Sequence, residues 1–286
     1  MRLLDGKVVA AEVKDKVKER VAALNAEGKT VTLAVIQVGD NPASSVYVRN
    51  KENACAYCGI ESQIIKVPED TQEECLLDLI EELNMDENVD GILVQLPLPE
   101  HIDESVVLRA INPYKDVDGF HPVNAGKLML GEDTFIPCTA KGIIRLLDYY
   151  GINIEGRDCA VVGRSNIVGK PVALELMRRN GTVTICHSKT YGLRAYCLSA
   201  DIIICAIGQP KFFNSQYFRH DAVVIDVGIH RLEDGSLCGD VDYDDIAKYG
   251  VNAITPVPGG VGPLTVAMLM ENCVEAAERT LWTNRE

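Results

Sequence analysis

A tyrosine and a lysine four residues apart are the first side chains in this sequence that could do chemistry. Tyr47 and Lys51 belong to the segment SSVYVRNK, which reads as a helix and so puts both side chains on one face. A phenol and an ammonium group side by side change each other's proton affinity. A lysine whose pKa is lowered by burial can perform acid–base catalysis. A solvated surface pair on a helix is the alternative that this pattern leaves open.

Two further polar side chains stand out against their surroundings. Gln95 interrupts the apolar run GILVQLPLP, where an unpartnered amide costs roughly 1–3 kcal/mol. At the carboxyl end of a parallel strand it would face a ligand cleft, and otherwise it is a satisfied structural glutamine. Asp118 lies in the segment KDVDG. Its carboxylate suits a ring edge that presents two N–H donors, although a carboxylate beside glycine also forms turns.

Residues 255–265, TPVPGGVGPLT, combine three prolines with three glycines. This composition fixes a loop rather than a helix or strand, and a loop of this kind lets the backbone approach a flat ligand closely. Other catalytic patterns are missing from the sequence, since the histidines lie in no triad context and neither GxSxG nor HExxH occurs. Cys55 and Cys58 form one C-x-x-C pair without the two further ligands of a zinc site. We therefore expect no metal.

Residues 158–190 carry the pattern of a dinucleotide-binding unit. A strand at 159–162 precedes GRSNIVG, a helix and a strand at 182–186, and the N-terminus of such a helix holds a pyrophosphate. NAD-binding units place an acidic residue about 20 positions after the first glycine, here Gly163. The sequence has HSK there and Arg164 directly after the glycine. Arg164 and Ser188 suit a 2′-phosphate, which predicts NADP; solvated loop charges at Arg164 and Lys189 are the alternative.

Apolar runs alternate with helical stretches along the chain, and this alternation predicts an α/β fold with parallel sheets packed between helices. Besides the two strands above, the predicted strands are residues 32–38, 62–67, 91–96, 201–206, 222–227 and 253–255. The predicted helices are residues 10–27, 45–58, 72–84, 140–150 and 264–279, together with the helix after the glycine turn.

The chain length of 286 residues suits two domains, with a boundary near residues 137–139. We predict a catalytic domain in residues 1–138, with the C-terminal helix 264–286 packing back on it. Residues 139–263 are predicted to form a Rossmann-type domain. Ligands bind outside the carboxyl ends of parallel strands, so an active-site cleft is expected between the domains.

Composition excludes several classes of partner. The net charge of −14 argues against nucleic acid, which needs a basic face, although small anionic ligands remain compatible with it. No apolar run approaches the length of a membrane span, and MRLLDGKVVA lacks the apolar run of a signal peptide. The ten cysteines are expected to be reduced thiols in the cytoplasm.

Taken together, these segments resemble the bifunctional methylenetetrahydrofolate dehydrogenase/methenyltetrahydrofolate cyclohydrolase family. The resemblance runs from about residue 39 to residue 269, in family order. Its matching stretches are GDNPASSVYVRNKENACAYCGI, DGILVQLPLP, KDVDGF, NAGKL, PCTAKGI, VVGRSNIVGKPVA, CHSKT and TPVPGGVGPLTVAML.

The resemblance implies two α/β domains, an NADP-binding Rossmann domain, a folate-binding first domain and a homodimer. It implies oxidation of 5,10-methylenetetrahydrofolate with NADP and hydrolysis of the methenyl product to 10-formyltetrahydrofolate, within one-carbon metabolism and purine biosynthesis. In the family pattern Lys51 is the main cyclohydrolase residue, Tyr47 stacks on the folate, Gln95 orients the lysine and Asp118 holds the pterin. Residues bordering folate and nicotinamide would be Pro258, Gly259 and Gly260. The cofactor would meet Gly163, Arg164, Ser165, Ile167, Ser188, Gly208 and Ile229.

Two other functions compete with this one. The first is an NADP-dependent dehydrogenase for another substrate, with the Tyr–Lys pair acting as in short-chain reductases, but that family places its cofactor turn near the N-terminus. The second is a non-enzymatic nucleotide sensor, which has no reason to place Lys51 beside Gln95. An assay of methenyl and NADPH formation discriminates among the three.

Overall fold

The computed structural model describes residues 1–283. Its first half contains β1 (Arg2–Leu3), α1 (Gly6–Ala26), β2 (Thr32–Val38), α2 (Pro42–Cys58), β3 (Glu61–Val67), α3 (Glu73–Met85), β4 (Gly91–Val94), α4 (Glu104–Ala110), α5 (Pro122–Leu130) and α6 (Cys138–Tyr149). The second half contains β5 (Asp158–Val162), α7 (Gly169–Arg178), β6 (Thr182–Cys186), α8 (Leu193–Ser199), β7 (Ile202–Cys205), a 3₁₀ turn (Ser215–Tyr217), β8 (Val223–Asp226), β9 (His230–Arg231), β10 (Leu237–Cys238), α9 (Tyr243–Tyr249), β11 (Ala253–Ile254) and α10 (Val261–Thr283).

The chain divides into two compact units. One consists of residues 11–138 with residues 266 onward, and we call it the Lys51 unit. The other consists of residues 1–10 and 139–265, and we call it the glycine-turn unit. Residues 284–286 of the predicted C-terminal helix lie outside the described residues.

The Lys51 unit contains a parallel three-stranded sheet in the order β3-β2-β4. The central strand β2 is buried along its whole length, as expected for a strand of apolar residues covered on both faces. Helix α3 packs an apolar face against this sheet through Leu76, Ile80 and Leu83, which recur at the spacing of one helix face. The sheet thereby holds the carboxyl ends of β2 and β4 in a fixed register.

The glycine-turn unit contains a six-stranded parallel sheet in the order β1-β11-β8-β7-β5-β6. Strand β5 pairs with β6 on one side and with β7 on the other, so the strand order reverses at β5. This is the doubly wound arrangement of Rossmann folds. Its core includes Val162, Ile203, Val224, Phe213 and Phe218, all buried. The predicted α/β class with parallel sheets is confirmed.

The long helices and strands and the short strands β7, β8 and β11 lie where they were predicted, whereas the helices α4, α5, α8 and α9 were not predicted. Strand β1 was not predicted, although it pairs in parallel with β11. The antiparallel pair of β9 and β10 was also missed. The prediction that Gln95 lies within a strand over residues 91–96 was wrong, because β4 ends at Val94. Pro97 soon follows and has no N–H to donate to a ladder, so Gln95 lies just beyond the strand.

The glycine turn generates a stability prediction. Gly163 has φ +134°, and a Cβ there would lie 2.1 Å from the carbonyl oxygen of Ala206. Gly163→Ala should therefore lower the free energy of unfolding by roughly 2–6 kcal/mol through strain and overpacking. The measurement is urea unfolding. Gly192→Ala is the matched control, because Gly192 has φ +71° but open space around it, and it should cost about 1 kcal/mol. Equal losses in the two variants would contradict the close approach.

Candidate active site

Helix α2 positions the tyrosine and lysine that the sequence singled out. The helix begins at Pro42, whose missing N–H costs nothing at the first helical position, and the Asn41 side chain accepts a hydrogen bond from the Ser44 amide at 3.3 Å. Val48 and Cys55 are buried, and Lys51 lies between them along the helix. Burial raises the pKa of the Cys55 thiol to about 12, so this thiol stays protonated and acts as a core residue.

The structure brings Lys51 and Gln95 into direct contact. The Lys51 Nζ donates to the Gln95 Oε1 at 2.9 Å. The Gln95 Nε2 in turn donates to the Leu96 carbonyl at 2.6 Å, which turns the amide oxygen toward the lysine. The Gln95 backbone N–H donates to Ile36 of β2 at 2.8 Å. The glutamine is thus fixed at both its backbone and its side chain, and so is the position of the lysine nitrogen.

The electrostatics around Lys51 oppose its ordinary protonation. Burial lowers the pKa of Lys51, and the nearby charge of Asp118 partly offsets this by raising it. Burial raises the pKa of Asp118, an effect that Lys51 opposes and Asp116 reinforces. Each group of the pair is therefore held nearer to its neutral form than in water. A lysine whose pKa is lowered gives up its proton more readily than an exposed lysine does, which suits proton transfer.

The two aspartates of KDVDG have different surroundings. Asp116 is 1% exposed, and its carboxylate accepts hydrogen bonds from the Phe120 and His121 amides and from the Asn124 side chain. It therefore fixes the loop. Asp118 is partly exposed and interacts electrostatically with Lys51. Its placement beside the lysine is what the functional interpretation of Asp118 requires.

Two residues that were not predicted as part of the site support this loop, one of them from the last helix of the chain. Asn272 of α10 is completely buried, and its Nδ2 donates to the Val117 carbonyl at 2.8 Å and to the Ile136 carbonyl at 3.2 Å. The Cys138 thiol donates to the Val117 carbonyl at 3.4 Å, and its contact with Asp118 partly offsets the rise in the pKa of that carboxyl caused by burial. An asparagine within an apolar helix was the available signal, since a buried amide needs partners.

Tyr47 lies one helical turn before Lys51 and is 41% exposed. Its ring is therefore accessible to a flat ligand, while the side chain of Lys51 is largely withdrawn from water. The structure thus gathers Lys51, Gln95 and Asp118 in one place and leaves Tyr47 beside them on the helix face.

The predicted cofactor residues lie in the glycine-turn unit. Ser165 Oγ accepts hydrogen bonds from the amides of Val168 at 3.2 Å and Gly169 at 3.3 Å, which folds the turn into the start of α7. A Cβ on Gly169 would lie 2.2 Å from the carbonyl oxygen of Gly163, so the helix approaches the strand as closely as a dinucleotide fold requires. The Ser165 hydroxyl proton remains available for a phosphate oxygen. This turn fits a dinucleotide.

The remaining cofactor candidates follow the carboxyl ends of neighbouring strands. Arg164 comes directly after the turn glycine Gly163, and Ser188 is the second residue after β6. Both are exposed. Gly208 follows β7 with φ +70°. Ile167 and Ile229 are also exposed, although both are apolar. Exposed residues in these positions are accessible to a ligand at the edge of the sheet.

The loop of prolines and glycines is tightly built. Gly259 has φ +108°, and its carbonyl accepts a hydrogen bond from the Gly6 amide at 2.9 Å. A Cβ on Gly260 would lie 2.5 Å from the Pro256 carbonyl oxygen. Both glycines are buried, whereas Pro258 is exposed. The loop therefore has a fixed backbone with Pro258 on its surface.

Within residues 1–283 no group of three or more His, Cys, Asp or Glu side chains is arranged to hold a metal ion. In the same range no helix is both long and apolar enough to cross a membrane.

A doubly wound parallel sheet with this turn is the nucleotide-binding half of NAD(P)-dependent enzymes. Residues 4–118 match the catalytic-domain model of the tetrahydrofolate dehydrogenase/cyclohydrolase family, and residues 137–281 match its NAD(P)-binding domain. The chain therefore belongs to the tetrahydrofolate dehydrogenase/cyclohydrolase family.

Individual relatives agree along the full chain. The bifunctional protein FolD of Lachnoclostridium phytofermentans is 58% identical over 97% of this chain and 98% of its own length. The crystal structure of the bifunctional FolD enzyme from Campylobacter jejuni is 48% identical, with a TM-score of 0.95 over 98% of this chain and 99% of that one. The Trypanosoma brucei enzyme, solved with NADP and an inhibitor, is 37% identical, with a TM-score of 0.93 over 98% of both chains.

These findings confirm the family that the motifs predicted, and with it a multifunctional oxidoreductase and hydrolase of tetrahydrofolate and one-carbon metabolism with NADP as its cofactor. The roles of individual residues stay predictions.

The coupling between Asp118 and Lys51 predicts a shift in pH dependence. Asp118→Asn removes a negative charge that raises the pKa of Lys51, so that pKa should fall further. When kcat for hydrolysis is plotted against pH, the inflection that arises from the protonation of Lys51 should move to lower pH by about one unit or more. The measurement is kcat for hydrolysis of methenyltetrahydrofolate against pH, corrected for the uncatalysed rate.

The control for this prediction is Asp133→Asn, which removes a carboxylate that is 89% exposed from the same unit. Its profile should superimpose on that of the parent protein. If the inflection stays at the same pH in Asp118→Asn, the carboxylate does not act on the lysine.

Proposed function

We propose that this chain oxidises 5,10-methylenetetrahydrofolate with NADP and then hydrolyses the 5,10-methenyl product to 10-formyltetrahydrofolate. The observation that carries the proposal is the Lys51 nitrogen, held 2.9 Å from the Gln95 oxygen and shifted toward its neutral form by burial. It lies within the segment that matches the family's catalytic domain. Residues 1–138 and 264–286 are assigned to folate and residues 139–263 to NADP, although residues 1–10 pack in the glycine-turn unit.

Lys51 is the proton-handling residue of the hydrolytic step. Water attacks the methenyl carbon, and the neutral amine of Lys51 accepts a proton from that water. The C–N5 bond of the resulting carbinol then breaks as its O–H proton leaves, and N5 takes up a proton. One proton is released overall. Gln95 accepts a hydrogen bond from the lysine in both charge states, because the amine and the ammonium each have N–H groups.

Asp118 and Tyr47 bind the folate in this proposal. The Asp118 carboxylate accepts hydrogen bonds from the pterin ring edge, where two N–H donors meet two oxygens. The exposed ring of Tyr47 stacks on the flat part of the substrate. Pro258, Gly259 and Gly260 border folate and nicotinamide.

The glycine-turn unit binds NADP, and when bound the nicotinamide accepts the hydride. Gly163 allows the turn to approach the pyrophosphate, and Arg164, Ser165 and Ser188 donate to the cofactor phosphates. Ile167, Gly208 and Ile229 complete the cofactor contacts. The absence of an acid beyond β6 and the presence of Arg164 favour a 2′-phosphate.

The proposal includes the setting of the enzyme. Ten free thiols suit a reducing cytoplasm. We assign the chain to purine biosynthesis as a source of formyl groups and expect a homodimer. Neither nucleic acid nor a membrane is a proposed partner.

Lys51→Met provides the test of the hydrolytic role. Methionine keeps much of the stem volume and removes the charge and the donors, so the cyclohydrolase rate should fall by about 10²–10⁴-fold. The dehydrogenase rate should fall less, because hydride transfer needs no side-chain base. The measurements are methenyltetrahydrofolate disappearance and, separately, NADPH formation.

Lys16→Met is the matched control, since Lys16 is an exposed lysine of the same unit in a surface ion pair with Glu12. It should leave both rates unchanged. Near-normal hydrolysis by Lys51→Met would remove Lys51 from proton transfer and leave it as a binding charge.

Arg164→Ala tests the choice of cofactor. A charge-assisted contact to the 2′-phosphate is worth roughly 1.5–3 kcal/mol, so the Michaelis constant for NADP should rise by about 10- to 100-fold. That for NAD should change little. Lys248→Ala, an exposed lysine of α9, is the control. Equal effects on NADP and NAD would contradict the assignment.

A further inference from the structure

A buried carboxylate organises the loop that follows β7. Asp240 is 0% exposed, and its carboxylate accepts hydrogen bonds from three successive backbone amides, those of Ile207 at 2.7 Å, Gly208 at 3.1 Å and Gln209 at 2.9 Å. His230 Nε2 lies 2.8 Å from the same carboxylate. Consecutive N–H groups converging in this way form an anion site, which the protein fills with its own side chain.

A second buried carboxylate extends the network. Asp226 at the end of β8 is 3% exposed and accepts hydrogen bonds from the amides of Gly228 at 3.0 Å, Asp240 at 2.9 Å and Val241 at 3.0 Å. Its own amide donates to Thr255 Oγ1 at 2.8 Å. The two carboxylates thereby connect the loops after β7 and β8 with the segment that carries Asp240.

Two glycines make room for these carboxylates. A Cβ on Gly239 would lie 1.9 Å from an Asp226 carboxylate oxygen, and a Cβ on Gly228 would lie 2.5 Å from Asp240 Oδ1. Burying two carboxylates in one place is costly, and burial raises the pKa of Asp226 to about 6. The fold bears this cost at the carboxyl ends of β7 and β8, where a doubly wound sheet binds its ligand.

The position of these loops determines which part of the cofactor they meet. The strand order reverses at β5, and a dinucleotide binds across such a point. Arg164 and Ser188 follow β5 and β6, so a bound cofactor would place there the half that carries the 2′-phosphate. The loops after β7 and β8 lie on the opposite side of β5 and meet the nicotinamide half.

We propose that Asp240, held by His230 and Asp226, is a positioning residue that fixes the loop 207–209 for the nicotinamide half of the cofactor. This inference rests on the proposed use of NADP. Asp240 touches no ligand itself. Its loss loosens the binding of NADP and NAD equally, because both carry the same nicotinamide ribose. In this respect it differs from Arg164, which acts on NADP.

Asp240→Asn tests the proposal because the amide keeps the shape of the carboxylate and turns an NH₂ group toward backbone donors. Dissociation constants for NADP, NAD and adenosine 2′,5′-bisphosphate are measured by calorimetry. Those for both dinucleotides should rise by about 10-fold or more, the equivalent of one lost hydrogen bond to a charged group. The bisphosphate lacks nicotinamide, so its dissociation constant should not change. Cyclohydrolase activity without cofactor should also be unchanged.

Two variants of His230 keep the test informative if Asp240→Asn fails to fold. His230→Leu removes the donor to Asp240 and should loosen both dinucleotides, whereas His230→Gln retains a donor and should bind nearly as the parent does. Asp242→Asn is the matched control, because Asp242 is an N-terminal cap of α9 and asparagine caps equally well.

The outcomes separate the inference from the function on which it rests. If the parent protein binds NADP and the folded variants bind both dinucleotides as tightly as the parent does, the positioning role is wrong. Parallel losses in bisphosphate binding and hydrolysis would show a general structural defect and would also overturn it. A parent protein that binds neither dinucleotide would overturn the proposed function and this inference with it.

Discussion

The hydrogen bond between Lys51 and Gln95 is the interaction on which the arrangement of the candidate site in the Lys51 unit depends. A lysine withdrawn from water loses hydration, and the loss lowers its pKa. The amide oxygen of Gln95 recovers one hydrogen bond and fixes where the nitrogen lies. Glutamine suits this position because its oxygen has no charge, so it holds the lysine without driving it back to the ammonium form. A carboxylate at position 95 would reverse that balance.

The chain uses aspartates in two distinct ways, and their hydrogen bonds distinguish them. Asp116, Asp226 and Asp240 are buried, and each accepts hydrogen bonds from at least two backbone N–H groups, so they shape loops. Asp118 lies beside Lys51, and the residue as a whole is only partly buried. The three buried carboxylates thus set loop geometry, whereas Asp118 is the one that the proposal assigns to the folate.

Sequence alone predicted what depends on local pattern. The bounds of β2 and β6 were predicted correctly, because apolar runs between turn signals define buried strands. The prediction that Gln95 lies beside Lys51 came from the family motifs and not from periodicity. Asp240 and Asn272 escaped notice because their partners are distant in sequence, and no local pattern distinguishes a buried aspartate after glycine from a turn. Gln95 was placed inside a strand because the apolar run continues past the point where pairing stops.

The hydrogen bond from Asn272 to Val117 spans 155 residues and has a consequence for the order in which the protein matures on the ribosome. At 5–20 residues per second, about 8–30 s separate the synthesis of its two ends. Residues 139–265 are translated in that interval and can fold as a unit. The backbone next to Asp118 meanwhile lacks the donor that α10 supplies. The loop that carries Asp118 therefore reaches its final hydrogen bonding only after the whole of residues 139–265 has been made.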